Sequence, residues 1–233
     1  MGDFFDDVFA ALDDNTFEEI PVDAKTFVED EKFLGHPPLS EIQYHIVECM
    51  SQIYYERDVI NMMGFEEGTK FYKNYTKNEL ILALGKGSGK DLTSTVAVSY
   101  IVYKLLCLND PARYYGKPAG DAIDIMNVAI NAQQAKNVFF KGLVNKIKRS
   151  PWFEGKFNAK MDSIDFNKSI TVYSGHSERE SHEGLNLFAA VLDEISGFAI
   201  ESTTGHAQAK TGDAIYKAFR GTVDSRFPDV GKV

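Results

Sequence analysis

Between residues 39 and 59 the apolar positions Ile42, Ile46, Val47, Met50, Ile53 and Tyr54 recur every three to four residues behind Ser40, the spacing of a capped amphipathic helix. Residues 79–84 (ELILAL) form a nearly continuous apolar run ending in a glycine cluster, which predicts a buried strand. Residues 90–108 return to helical spacing and stop at Asn109-Asp110-Pro111. The alternation then repeats: a strand over 124–130, a helix over 133–149 closed by Ser150-Pro151, and a strand over 169–173. A polar, turn-rich loop over 174–186 leads to a strand over 187–192 (LFAAVL) and a last helix over about 211–225. Apolar strands alternating with helices predict an α/β fold whose mostly parallel central sheet is flanked by helices on both faces. Residues 228–233 read as a turn entering one more strand, as expected of a truncated chain. At the other end Phe4, Phe5, Val8, Phe9 and Leu12 have helical spacing, which fits a packed arm over the alternative of a partner-docking helix.

Composition adds only exclusions: 44% hydrophobic and 25% charged residues over 233 positions is ordinary globular material, enough for one large core or two small ones. Cys49 and Cys107 fall in helical stretches without CxxC or Cys/His spacing, so a reducing compartment is expected, without a disulfide framework or structural zinc. The start lacks the basic segment of a signal peptide, and no apolar run approaches the ~20 residues of a bilayer span.

Charge changes the picture more. The net charge of −9 is concentrated in residues 1–31, which hold eleven acids and one base and leave the remainder near neutral. The chain thus divides into an acidic N-terminal arm over 1–35 and a domain over 36–233. Residues 136–168 carry eight bases against three acids. Phosphate contacts supply most non-specific affinity for nucleic acid, so Lys146, Lys148 and Arg149 are candidate DNA contacts. The competing reading is a solvated helix face.

The chemistry begins at Leu84-Gly85-Lys86-Gly87-Ser88-Gly89-Lys90-Asp91, set between a predicted strand and a predicted helix, the context of a phosphate-binding loop. Gly85, Gly87 and Gly89 let consecutive N–H groups converge on an anion, and the helix starting near Lys90 adds its positive end. Nucleotide contacts are expected along Gly85, Lys86, Gly87, Ser88, Gly89, Lys90, Asp91 and Leu92, with Lys90 reaching the β/γ-phosphates. Leu84 stands where the usual pattern has its first glycine. Asp91 replaces the magnesium-ligating Ser/Thr; its carboxylate is a hard-oxygen ligand that also brings negative charge to the phosphates.

About a hundred residues on, the apolar run over 187–192 ends in Asp193-Glu194. Asp193 is placed to hold Mg²⁺ and Glu194 to orient or deprotonate the attacking water. A glutamate after the aspartate points to a P-loop NTPase of the additional-strand, catalytic-glutamate type. No Asn-Lys-x-Asp guanine signature occurs, so ATP is expected over GTP.

From about residue 39 onward these motifs resemble the N-terminal ATPase half of tailed-bacteriophage terminase large subunits, the DNA-packaging motors. Pro38-Leu39-Ser40-Glu41-Ile42-Gln43 is similar to the family's adenine-recognition segment, which implies that Gln43 reads the adenine edge. The family's basic residue inside the loop corresponds to Lys86, implied to act on the γ-phosphate in cis. Asn131-Ala132-Gln133-Gln134-Ala135, Ser181-His182-Glu183-Gly184-Leu185-Asn186 and Ser225-Arg226-Phe227-Pro228 resemble family segments at the same places. The resemblance implies ATP and Mg²⁺ as cofactors, translocation of double-stranded DNA into a procapsid, and assembly as a homo-oligomeric ring. It also implies the portal protein and small terminase subunit as partners, a host-cytoplasmic location at the portal with no membrane, and an endonuclease in the full-length protein. The coupling motif should lie on a strand after Val233.

Arg179, Arg220 and Arg226 are candidates for a group acting in trans on a neighbouring subunit, each weighed against an ordinary surface arginine. His176 and His182 are candidates to sense nucleotide or touch DNA, weighed against polar loop residues. Tyr114-Tyr115 reads as a packing pair over a stacking surface for a partner, and Thr203-Thr204-Gly205-His206 as a segment that could respond to hydrolysis. Two other functions stay open: a helicase- or recombinase-like ATPase, and a nucleotide-binding assembly module in which Asp91 has abolished hydrolysis.

Overall fold

The computed structural model describes residues 16–85, 87–129, 139–176, 184–195 and 212–233. Among the described residues, four short helices, α1 (Ala24–Glu29), α2 (Glu41–Ser51), α3 (Glu56–Met63) and α4 (Phe65–Tyr75), precede the 18-residue α5 (Lys90–Cys107) and the one-turn α6 (Pro111–Tyr114). Then come β1 (Ile123–Ala129), α7 (Lys141–Arg149), the 3₁₀ turn Pro151–Phe153, β2 (Phe157–Ala159), β3 (Ser163–Phe166), β4 (Ile170–His176), β5 (Leu187–Leu192) and α8 (Gly212–Arg226).

The sheet runs β2-β3-β4-β1-β5. β1 pairs in parallel with β4 and β5, whereas β2, β3 and β4 are joined antiparallel. The architecture is α/β as expected, but the sheet is mixed rather than mostly parallel, because a meander the hydrophobic pattern does not announce adds two strands at one edge. Helices cover both faces. Ile123, Ile125, Val172 and Phe188 share one core with α5, whose residues from Thr93 to Cys107 are all buried. Met126, Val128, Leu187 and Ala190 form a second core under Ile215, Phe219 and Val223 of α8.

Two other sequence expectations change. The helix expected over 39–59 is interrupted after Ser51: Gln52 leaves the helical conformation, its side chain donates to Tyr54 O at 2.9 Å, and Tyr54 turns into the core to donate to Lys104 O at 2.7 Å. The run 79–84 is not a buried strand, since Ile81 is 81% and Leu84 40% exposed. Its backbone ladder there is with Val233: Leu80 N donates to Val233 O at 3.0 Å and Val233 N to Asn78 O at 2.9 Å. On its other side the same terminal segment joins β5, with Lys232 N donating to Phe188 O and Ala190 N to Lys232 O, both at 2.9 Å. One peptide thus stands between β5 and the chain entering the phosphate loop, with Ile81 and Leu84 left outward.

Residues preceding α2 are strapped to the long helix. Val22 N donates to Tyr103 Oη at 2.9 Å, Tyr100 Oη donates to Val22 O at 2.7 Å, and Phe27 and Val28 are fully buried. The apolar positions of 1–12 lie outside the described residues.

Candidate phosphate-loop site

α5 begins without a side-chain cap. Its N-cap is Gly89 in the left-handed region (φ 78°), preceded by Gly87 at φ 82°, conformations that glycine adopts without steric cost. Thr93 seals the first turn from behind, its N and Oγ1 both donating to Gly89 O, at 2.9 and 3.0 Å. Uncapped N–H groups and the helix dipole therefore open toward the space in front of the loop.

Gln43 meets this loop from α2. Ser40 caps α2, and Gln43 completes a capping box by accepting from Ser40 N at 3.0 Å through Oε1. With Oε1 so held, Nε2 points at Gly89, where an added Cβ would lie 2.8 Å from it. Gln43 and the phosphate loop are thus neighbours in the fold.

The acidic pair arrives on β5, the neighbour of central β1. Asp193 N donates to Val128 O at 2.8 Å, carrying the ladder past the end of the strand, and Glu194 follows in the left-handed region at φ 52°. A non-glycine residue there is strained, and such strain concentrates at functional sites. Lys90 Nζ lies 3.3 Å from Glu194 Oε1 and 3.4 Å from Asp193 Oδ1. Burial opposes the Lys90 charge, but Glu194 and Asp193 outweigh it and hold its pKa above the ordinary value. Burial raises the Asp193 pKa; the Lys90 ammonium pulls against that, while Asp91 and Glu194 add to the rise. Loop lysine, first-turn carboxylate and strand-tip acids thus share one electrostatic neighbourhood.

A family profile described as "Uncharacterized protein MJ0330, N-terminal P-loop domain" matches residues 2–233. The chain belongs to that P-loop family. A relative from Methanocaldococcus jannaschii, the uncharacterized protein MJ0330, is 32% identical across a match covering 66% of this chain and 27% of that protein. The matched part is about a quarter of the relative's length.

P-loop domains bind nucleotide, with Mg²⁺ held between phosphates and protein. Among the described residues no group of three or more His, Cys, Asp or Glu is arranged to hold a metal ion by itself. Mg²⁺ keeps most of its waters and takes one or two carboxylates together with phosphate oxygens. Asp193, with Asp91 nearby, fits that requirement.

The other sequence candidates distribute unevenly around this P-loop site. Lys86, Arg179, His182, residues 131–135, residues 181–183 and residues 203–206 lie outside the described residues. Arg220 is committed within the fold, Nε to Asp224 Oδ2 at 2.8 Å and a terminal nitrogen to Asn78 O at 2.9 Å, which argues against its acting in trans. Arg226 is exposed at the end of α8, and His176 ends β4. Tyr114 and Tyr115 pack inward, donating to Asp58 Oδ2 and Ile53 O. In the basic stretch, Lys168 donates to Leu106 O and Leu108 O at the C-terminal end of α5, Lys156 to Trp152 O, and Lys160 pairs with Asp165. Lys146, Lys148 and Arg149 occupy the last turn of α7, whose Leu143 and Ile147 are buried, and burial lowers the Lys146 pKa. An open cleft of about 830 Å³ with Arg57, Arg113 and Tyr114 in its wall lies at the opposite end of α5, about 27 Å from Lys90 by helical rise. Size alone does not locate the chemistry here. No helix among the described residues is long and apolar enough to cross a membrane.

Proposed function

We propose that this P-loop domain is a Mg²⁺-dependent ATPase of the additional-strand, catalytic-glutamate type, serving as the motor part of a viral genome-packaging machine that moves double-stranded DNA. The observation that carries the ATPase reading is the convergence of Lys90, Asp193 and Glu194 within 3.4 Å from chain segments more than a hundred residues apart. The interposed Lys232–Val233 peptide between β5 and the loop-bearing segment supports the additional-strand assignment.

The mechanism follows from competition for one ammonium. Without nucleotide, Lys90 neutralises the acidic pair. Phosphate oxygens entering the loop draw Lys90 and the amides of the first turn of α5 toward themselves. Glu194 is then freed to accept a proton from a water aligned with the γ-phosphorus. Asp193, with Asp91 nearby, would hold Mg²⁺, and the bound ion would offset the negative charge of the phosphates. Gln43 stays beside the loop to read the adenine edge, and Lys86 adds positive charge at the γ-phosphate.

The packaging assignment rests on the likeness of the segments around Gln43, the loop and residues 181–186 and 225–228 to those of terminase large subunits. DNA and a ring of like subunits, with a portal and a small subunit at the procapsid, are the partners this reading brings. Phosphate release measured for this chain, Glu194→Gln and Asp91→Ser, with and without double-stranded DNA, tests both levels. Mg²⁺-dependent release that Glu194→Gln abolishes while nucleotide binding persists is expected, and DNA should stimulate it. A parent chain as inactive as Glu194→Gln, with Asp91→Ser active, would establish the binding-module alternative.

A further inference from the structure

Asn127 stands in the middle of β1, between β4 and β5, 1% exposed, and neither atom of its amide has a hydrogen-bond partner. Other buried side chains with an unpartnered atom, such as Ser51 and Gln52, have one each; among the described residues Asn127 alone has two. An amide left unpaired in a core opposes folding, and an aliphatic side chain would suit the apolar strand around it better.

The register shows what this amide faces. Asn127 lies opposite Val191 and Val128 opposite Leu192, and the ladder extends through Asp193 N to Val128 O. Partners across a parallel ladder project to the same side, and sides alternate along each strand. Ile125 and Val191 pack into the core under α5, Met126, Val128 and Leu192 into the core under α8. Asn127 and Asp193 therefore face the same side, the side from which Lys90 reaches Asp193. Diagonal neighbours of this kind are about 7–8 Å apart, beyond a direct hydrogen bond and within the span of one bridging water.

We propose that Asn127 is a positioning residue for the acidic pair: through a bridging water its amide fixes the rotamer with which Asp193 meets Mg²⁺. The inference rests on the ATPase reading of the site. Asn127 itself touches neither nucleotide nor metal, and its unfavourable burial is retained because an apolar residue there would leave the Asp193 carboxylate unrestrained.

The test compares the parent chain with Asn127→Leu, Asn127→Ser, Asp193→Asn and the Leu/Asn double variant, by thermal melting without metal and by Mg²⁺ titration of binding to a fluorescent ATP analogue. Asn127→Leu should melt no lower than the parent and bind the analogue equally well at saturating Mg²⁺. It should require about 10-fold more Mg²⁺ to do so, the loss typical of a group that orients a metal ligand. Asn127→Ser, which keeps a donor and an acceptor, should shift the midpoint less. In the Asp193→Asn background Asn127→Leu should shift it no further. If the leucine variant does not fold, Asn127→Ala carries the same comparison. A midpoint within twofold of the parent, or an equal shift without Asp193, overturns the inference alone; a parent chain that binds no nucleotide at any Mg²⁺ concentration overturns the ATPase reading and this inference with it.

Discussion

Replacing Gly89 by alanine probes whether Gln43 at the start of α2 and the phosphate loop act as one unit. Gly89 sits at φ 78°, where a residue with a Cβ pays about 1–2 kcal/mol, partly offset by about 0.4–1 kcal/mol from a narrower unfolded ensemble. The new Cβ would lie 2.8 Å from Gln43 Nε2, the tip of a flexible side chain, so the amide swings away and no backbone has to move. Swinging away breaks the 3.0 Å bond from Ser40 N to Gln43 Oε1 that closes the capping box, worth about 0.5–1.5 kcal/mol. The net loss is about 1–2.5 kcal/mol, and at about 2–4 °C per kcal/mol for a chain of this size Tm should fall by roughly 5 °C. Calorimetric melts of the parent, Gly89→Ala, Gln43→Ala and the double variant, with fluorescent-ADP titrations, measure both effects. Without Gln43 only the backbone strain remains, so the two substitutions should couple by about 0.5–1.5 kcal/mol. Additivity within about 0.3 kcal/mol, or a Gly89→Ala protein with parental Tm, would refute the contact as an energetic link.

Lys232 is buried and its pKa is pushed down to about 7 by burial, with the Lys104 charge adding to it. The unfolded chain therefore holds more protons between about pH 7 and 10.5, so Tm should climb with pH across that window, and Lys232→Met should flatten the climb; parallel curves would count against it. Charge reversal at Lys146, Lys148 and Arg149 should weaken double-stranded DNA binding and reduce the slope of log affinity against log salt by about 2–3; an unchanged slope returns α7 to a merely solvated face. Phe27 is fully buried, its ring centroid 4.9 Å from those of Tyr100 and Tyr103. Phe27→Ala should cost about 3–5 kcal/mol in urea unfolding, whereas a loss under about 1 kcal/mol would mean that α1 does not fold with the rest.

The site was legible because its chemistry is written in local pattern. Three glycines with a lysine between a strand-like run and a helix, and two acids at the end of LFAAVL, each point to one role, and the fold brings Lys90 to both acids. What escaped is long-range or disguised. β2 and β3 are short and polar in sequence, and the turn from β3 to β4 uses Lys168 and Ser169 at φ 61° and 58°, with no glycine to mark it. Lys168 looked like part of a nucleic-acid patch until the fold turned its ammonium onto the end of α5. The run 79–84 has strand composition, yet a strand needs neighbours, and here the ladder is with the remote Val233. Asn127 hid inside a mostly apolar strand, where one amide changes no periodicity; only burial and the missing partners expose it.

The peptide at Lys232–Val233 sets the aperture of the site. It inserts one extra ladder between β5 and the chain at 78–80, so the two arms that carry acids and loop stand about 10 Å apart instead of the roughly 5 Å of directly paired strands. Because this insert pairs on both sides, a shift of residues 228–233 would alter the spacing of both arms at once.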